Sequence, residues 1–299
     1  MSRLIWTLVI AIASFLGTGC ASLTDAAREG QAVERDGQYQ TLKQIRYSFT
    51  LNNTTGRLLE KPQFWTYAPV PQTSFQKVKK VSANQPYRTT RDEMGNEIMH
   101  FDLEKIPPYG AKIVSITVNL LMAERPVPMA VGDRGRFLSA ETYIESDDTQ
   151  IATLAKTLSD SVTLTSARKT YDWVNQNLFA ENYVSEDRGA VYALTHHKGD
   201  CTEYSYLLTA LYRAQQIPAR ALGGYVFPGS SVVKAVDYHN WTEFHADGIW
   251  QVADAQKGAF GKNQTDYVAM RIIAAGKNGP MGDSHRFNFA GDGLQVTMN

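Results

Sequence analysis

An α+β protein in two successive parts is the fold class that this 299-residue sequence predicts, and three observations lead to it. Apolar and polar residues alternate through about residues 41–125 without a helical stretch, which is typical of a small antiparallel β-sandwich. Beyond residue 129 helical periodicity appears and is followed by further strand patterns. Between the two stretches, Arg125–Pro126–Val127–Pro128 with Gly132 and Gly135 is typical of a boundary.

Composition narrows the classes of function. With 43% hydrophobic residues the chain can bury a substantial core. Thirty Lys and Arg balance thirty Asp and Glu, and no basic block is interleaved with aromatic residues, so nucleic acid is not the expected partner. Two distant cysteines exclude a disulfide framework and a cysteine-rich zinc site.

The N-terminus is typical of an export signal. Arg3 precedes an apolar run from Leu4 to Leu16, which is shorter than a membrane-spanning helix needs, and Gly17–Thr18–Gly19 lead to Cys20. This pattern resembles the lipobox of bacterial lipoproteins, which implies a signal over residues 1–20 and lipidation of Cys20. Ordinary secretion and an uncleaved anchor are the alternatives.

Several expectations follow from this lipoprotein resemblance. Residues 21–40 would be a tether, and the protein would lie on the periplasmic side of a bacterial cell envelope, held to the membrane by its lipid. Ala21 after the cysteine favours the outer membrane by analogy with that family. Cys201 would then be the one thiol of an oxidising compartment without a partner in the chain.

The sandwich is assigned to residues 41–128 and the second domain to 129–299. No motif of the sandwich carries chemistry, and its predicted strands are Ile45–Leu51, Phe64–Val70, Val78–Val81, Glu97–Leu103 and Val114–Leu120. In the second domain we predict helices after Asp148, over Ser166–Phe179 and after Asp200, a strand over Ala219–Phe227, a hairpin over Tyr238–Ala255 and a strand near Tyr267–Ile273.

Cys201 occupies the first position of a predicted helix. Asp200 is a good N-cap, and Glu203 completes the pattern of a capping box. At that position the unpaired N–H groups and the positive end of the helix dipole favour a thiolate over a thiol. The same N–H groups can donate to an oxyanion that forms on a substrate carbonyl.

A thiolate nucleophile usually needs a histidine, and that histidine needs an acceptor that orients it. Asp247–Gly248 is a strong two-residue turn signal, and a hairpin with this turn places Trp241 opposite Asp254 and His245 opposite Trp250. His239 is then the diagonal neighbour of Asp254 on one face, whereas His245 lies further along the strand pair. The register therefore favours His239 as the partner of Asp254.

Three separated blocks now resemble the bacterial transglutaminase-like superfamily: residues 199–225, His239–Asn240–Trp241–Thr242–Glu243–Phe244, and Trp250–Gln251–Val252–Ala253–Asp254. The resemblance implies a papain-like transglutaminase core in which Cys201, His239 and Asp254 are the catalytic Cys, His and Asp. It further implies a thioester acyl-enzyme made from a peptide or protein amide and resolved by water or by an amine. Thr202 stands where animal crosslinking enzymes have tryptophan, and no counterpart of their calcium sites is found.

Neither a metal nor an organic cofactor is implied, and the expected partner is a peptide or protein substrate. The alternative function is a non-catalytic envelope module that binds a protein on the same fold. Several residues are assigned to structure: Trp241, Trp250, Trp173 and Tyr183 to packing, His196–His197 to a helix end, and Gly223–Gly224 to a bulge or close strand approach.

Overall fold

The computed structural model describes residues 38–274 and 279–299. The signal predicted over residues 1–20, the lipidation site Cys20 and most of the tether predicted over 21–40 lie outside the described residues. In the described part, none of the helices combines the length and apolar character that a membrane span requires.

Helices and strands alternate irregularly, as the α+β prediction requires. The strands are β1 (Thr41–Asn53), β2 (Gln63–Tyr67), β3 (Gln76–Ala83), β4 (Arg88–Arg91), β5 (Glu97–Asp102), β6 (Ala111–Met122), β7 (Phe179–Ala180), β8 (Lys198–Gly199), β9 (Ala219–Val226), β10 (Ser231–Val232), β11 (Tyr238–Ala246), β12 (Ile249–Asp254), β13 (Ala259–Phe260), β14 (Tyr267–Ile272), β15 (Phe287–Ala290) and β16 (Leu294–Met298). The helices are α1 (Thr149–Leu158), α2 (Thr163–Asn177), α3 (Ala190–His196) and α4 (Cys201–Ala214), with short 3₁₀ turns at Ala235–Asp237, Gln264–Asp266 and Gly279–Met281.

Two sheets built around the first part of the chain share one hydrophobic core. One sheet has the order β10-β1-β6-β3, with β16 also pairing with β1, and the other has the order β15-β2-β5-β4. The odd-numbered residues Ile45–Leu51 of β1 are at most 2% exposed and face Phe64 and Phe101 of the second sheet. This arrangement confirms the sandwich and the period-two pattern that predicted it.

Strands from the end of the chain complete both sheets of the sandwich. β16 pairs with β1 through Phe49↔Met298, and β15 pairs with β2 through Phe64↔Phe289. Residues Gln38–Asn299 form one compact unit. Strand pairing therefore crosses the boundary predicted after residue 128, and the division into two domains stays a prediction.

The third sheet, β13-β12-β11-β9-β14, carries the helices. Helix α4 packs against β11 and β9, and all residues from Thr202 to Arg213 are buried. Trp241 and Trp250, each 1% exposed, pack in a separate cluster with Phe137. The core assignment of both tryptophans is thus confirmed.

Helix α2 differs from its prediction. It begins at Thr163 and ends at Asn177, whereas Phe179 begins β7. Its N-cap Val162 makes no side-chain capping bond, so the sequence has no capping signal at the true start. By contrast, Asp148 accepts from the N–H groups of Gln150 and Ile151 and begins α1 where its sequence predicts.

Candidate active site

Helix α4 begins at Cys201 because Asp200 and Glu203 cap it in both directions. The Asp200 carboxylate accepts from the Thr202 N–H at 2.7 Å, and the Glu203 carboxylate accepts from the Asp200 N–H at 3.1 Å. The capping box predicted from the sequence is therefore present. It holds Cys201, a free and half-buried thiol, at the first turn of a buried helix.

The hairpin of β11 and β12 has the predicted register. Asp247 and Gly248 adopt φ values of 53° and 81°, as a tight two-residue turn requires, and His245 pairs with Trp250. Side chains on this face bring the His239 ring Nε2 to 2.7 Å from Asp254 Oδ2. His239 is 6% exposed and Asp254 is 2% exposed, so water competes little for this bond.

Asp254 accepts two further hydrogen bonds, and one comes from a residue that the sequence did not single out. The Lys257 N–H donates to Oδ1 at 3.0 Å, and the Tyr267 hydroxyl donates to Oδ2 at 2.9 Å. Burial and the Asp254 charge raise the pKa of the Tyr267 phenol, which keeps it a donor. Tyr267 lies on β14, and no short-range pattern relates that strand to the hairpin.

The thiol and the imidazole line one cavity of about 470 Å³. The side-chain amide of Asn240, the residue after His239, donates to the hydroxyl of Thr202, the residue after Cys201, at 2.9 Å. Nε2 of His239 is engaged by Asp254, and Nδ1 makes no hydrogen bond within the described part of the chain. The structure therefore brings the three predicted residues Cys201, His239 and Asp254 together.

Burial opposes the ionisation that the helix position favours. Desolvation and, to a smaller extent, the Asp200 carboxylate raise the pKa of the Cys201 thiol to about 11, although the Asn240 backbone and the Thr202 side chain lower it. The helix N-terminus was expected to favour a thiolate, whereas desolvation in the folded site acts in the opposite direction. A raised pKa favours the protonated thiol at neutral pH.

Close backbone packing shapes the strand that faces His239. A Cβ on Gly223 would lie 1.9 Å from the Tyr238 hydroxyl oxygen, and one on Gly224 would lie 2.1 Å from the Val268 carbonyl oxygen. The pairing of β9 with β14 shifts register between Ala269 and Arg271, next to these glycines. Both the bulge and the close approach predicted for the pair are confirmed.

Two other assignments have different outcomes. Helix α3 ends at His196, and His197 is its C-cap, as predicted. Tyr183 is 77% exposed and lines the cavity beside Cys201, so its assignment to packing is wrong. The N–H of the following residue, Val184, donates to Asp200 at 3.0 Å, which holds this loop at the cavity mouth. Within the described residues, no group of three His, Cys, Asp or Glu side chains could hold a metal ion.

Comparison with known proteins agrees with this geometry. Residues 152–255 match the model of the transglutaminase-like superfamily, and this range includes Cys201, His239 and Asp254. The chain contains a transglutaminase-like core. No curated protein sequence matches the chain.

The fold of the chain is also found among solved structures. A candidate cysteine protease from Cytophaga hutchinsonii is similar with a TM-score of 0.56 and 18% identity, over 87% of this chain and 92% of that one. The periplasmic domain of TgpA from Pseudomonas aeruginosa is aligned with a TM-score of 0.37 and 16% identity, over 76% of this chain and 91% of that one. The first similarity shows that the two chains share a fold over most of their lengths.

Proposed function

We propose that the protein is a cysteine enzyme of the cell envelope that transfers acyl groups from a peptide or protein amide. The observation that carries this proposal is the 2.7 Å bond between His239 and a buried Asp254 beside the cavity that also holds the Cys201 thiol. A buried structural cysteine has no need of an oriented imidazole, whereas a nucleophile requires one.

In the proposed mechanism, His239 takes the thiol proton as the sulfur attacks the substrate carbonyl carbon. The imidazolium then gives this proton to the leaving nitrogen, so the C–N bond breaks, an amine departs and a thioester remains on Cys201. Asp254 stabilises the imidazolium and fixes its orientation. Because burial raises the thiol pKa, this proton transfer is the step for which the site needs its base.

The first turn of α4 is the proposed oxyanion site. Asp200 engages the Thr202 N–H, which leaves the Cys201 N–H to donate to the developing oxyanion. The thioester is then resolved by water, which is hydrolysis, or by an amine, which is crosslinking. We favour water because no amine-binding group can be identified from the sequence.

Turnover of p-nitrophenyl acetate tests the proposed chemistry. We expect the wild type to release nitrophenolate and Cys201→Ala to release none above background. Added glycine methyl ester separates the two acceptors: amide formation would show that the site admits amines, and hydrolysis alone would show that water is the acceptor. Equal background rates for wild type and Cys201→Ala would instead favour the non-catalytic binding module.

The proposed location rests on the sequence of the N-terminus. Lipidation of Cys20 would anchor the protein to the membrane on the periplasmic side, with the outer membrane favoured by Ala21. We expect Cys20→Ser to move the protein from the membrane fraction to the soluble fraction. Retention of that variant in the membrane would contradict a lipid anchor.

A further inference from the structure

The segment Ser284–Arg286 forms a fixed wall of the cavity that holds Cys201. Each of its three carbonyl oxygens accepts a side-chain hydrogen bond: Ser284 from Arg271 at 3.0 Å, His285 from Tyr238 at 3.2 Å and Arg286 from Thr66 at 2.9 Å. The side chains of His285 and Arg286 both line the cavity. Because its backbone is held at three successive positions, this wall is organised before any substrate arrives.

Arg286 has a positive charge without an acidic partner. Its Nη1 donates to the Ala235 carbonyl oxygen at 2.7 Å, and its guanidinium lies 5.6 Å from the Tyr238 ring centroid. No carboxylate among the described residues lies within ion-pair distance of Arg286. The same is true of Arg271, which is 4% exposed and whose Nε has no hydrogen-bond partner in the described structure.

The carboxylates around the cavity are already engaged. Glu181 lies 2.8 Å from Lys198 and 3.0 Å from Arg188. Asp200 accepts from the backbone N–H groups of its own helix and of the loop after Tyr183.

Beside the wall, Asp187 pairs with the His285 ring at 3.3 Å and accepts from the Tyr206 hydroxyl at 2.7 Å. The acidic groups thus have partners, whereas Arg286 lines the cavity without a carboxylate partner among the described residues. Its guanidinium attracts an anion that enters the cavity and can form charge-assisted hydrogen bonds with a carboxylate.

We propose that Arg286 binds a carboxylate of the substrate. The substrate class is then an amide or peptide whose acyl portion carries a carboxylate near the carbonyl that Cys201 attacks. The description of this anion as part of an acyl donor rests on the proposed function. The binding of a carboxylate in the cavity does not, and it can be measured without turnover.

Alkylation of Cys201 by iodoacetate and by iodoacetamide tests directly whether Arg286 binds a carboxylate. The two reagents differ by a carboxylate, and both react with the thiolate, so the ratio of their rates cancels the fraction of ionised thiol. We expect Arg286→Gln to lower the iodoacetate-to-iodoacetamide ratio about fivefold, Arg286→Lys to retain part of the preference, and added salt to weaken it in the wild type. Arg57→Gln, which changes an arginine that is 80% exposed, is the matched control and should leave the ratio unchanged.

A ratio that is equal in wild type and Arg286→Gln would overturn the proposal. If Arg286→Gln does not fold, the wild type can be tested by asking which compounds protect Cys201 from iodoacetamide. Succinate should slow the labelling, whereas neutral succinamide should not. Equal effects of the two compounds would also overturn the proposal. Failure of the proposed function is seen separately, because p-nitrophenyl acetate would then not be turned over while the Arg286-dependent ratio persists.

Discussion

Two equally buried histidines distinguish the sandwich from the transglutaminase-like core. His100 on β5 and His239 on β11 are both 6% exposed. In the sandwich, the Trp65 indole N–H donates to His100 Nδ1 at 2.9 Å, and the Thr90 hydroxyl lies 2.6 Å from Nε2. In the core, His239 has a carboxylate on Nε2 and the cavity of Cys201 beside it.

This difference shows that burial alone does not make a histidine reactive. Both ring nitrogens of His100 are used by neighbouring side chains, so the ring closes a structural network. His239 has one ring nitrogen that Asp254 does not engage, and in the proposed mechanism this nitrogen accepts the thiol proton. The two residues therefore predict different effects of substitution on acylation.

The largest effect on acylation is expected when His239 is replaced, and replacement of His100 is the comparison. His239→Ala should lower the rate of acyl-enzyme formation about 10³-fold, because it removes the base, and it should also destabilise the fold, because the buried Asp254 carboxylate loses a hydrogen-bond partner. His100→Leu should keep the acylation rate but destabilise the fold by about 1 to 3 kcal/mol, since a partly buried indole N–H loses its acceptor. Stopped-flow kinetics and urea unfolding of both variants measure this, and similar losses of acylation in both would break the comparison.

Replacing the charged partner should have the next largest effect. Asp254→Asn keeps the volume of the side chain but removes the charge that stabilises the His239 imidazolium, and we expect acylation to slow about 10²-fold or more. The rate of nitrophenolate release checks this. A loss below about threefold would mean that the carboxylate does not act through His239.

The raised pKa of the Cys201 thiol should slow its alkylation by about as much as Asp254→Asn slows acylation. With a pKa of about 11, Cys201 should react with iodoacetamide at pH ~8 about 100-fold more slowly than an exposed cysteine peptide. Since a pKa raised on folding favours the protonated thiol, the rate should increase with pH up to about 11. A rate that levels off near neutral pH would show that the resting site holds a thiolate.

Tyr267→Phe should have the smallest effect. It removes one of three hydrogen bonds to Asp254 and leaves those from His239 and Lys257, so we expect acylation to slow about fivefold to tenfold. Val268→Ala, at the next position of β14, is the matched control for packing. Equal rates for wild type and Tyr267→Phe would mean that the hydroxyl does not help to orient the carboxylate.

Prediction from the sequence succeeded where the information was local. The capping box at Asp200 and the two-residue turn at Asp247–Gly248 each depend on adjacent residues, and together they place Cys201 and the His239–Asp254 pair. The strands of the sandwich were found by their alternation, as β1 shows.

What the sequence could not predict depends on distant contacts or on burial. Tyr267 reaches Asp254 from another strand, and β15 and β16 join sheets whose other strands lie far earlier in the chain. The helix position of Cys201 could be predicted from the sequence, whereas the desolvation that raises the pKa of its thiol depends on the folded core. Arg286 has significance only because folding places it in the cavity of Cys201 without a carboxylate partner.

Intact-protein mass spectrometry of an acid-quenched reaction with p-nitrophenyl acetate shows whether Cys201 is acylated with the help of His239. We expect one acetyl group on the wild type, mapped to Cys201 and released by hydroxylamine as a thioester, and a slower appearance of that adduct in His239→Ala. An adduct on another residue, or equal rates of acetylation in wild type and His239→Ala, would contradict this expectation.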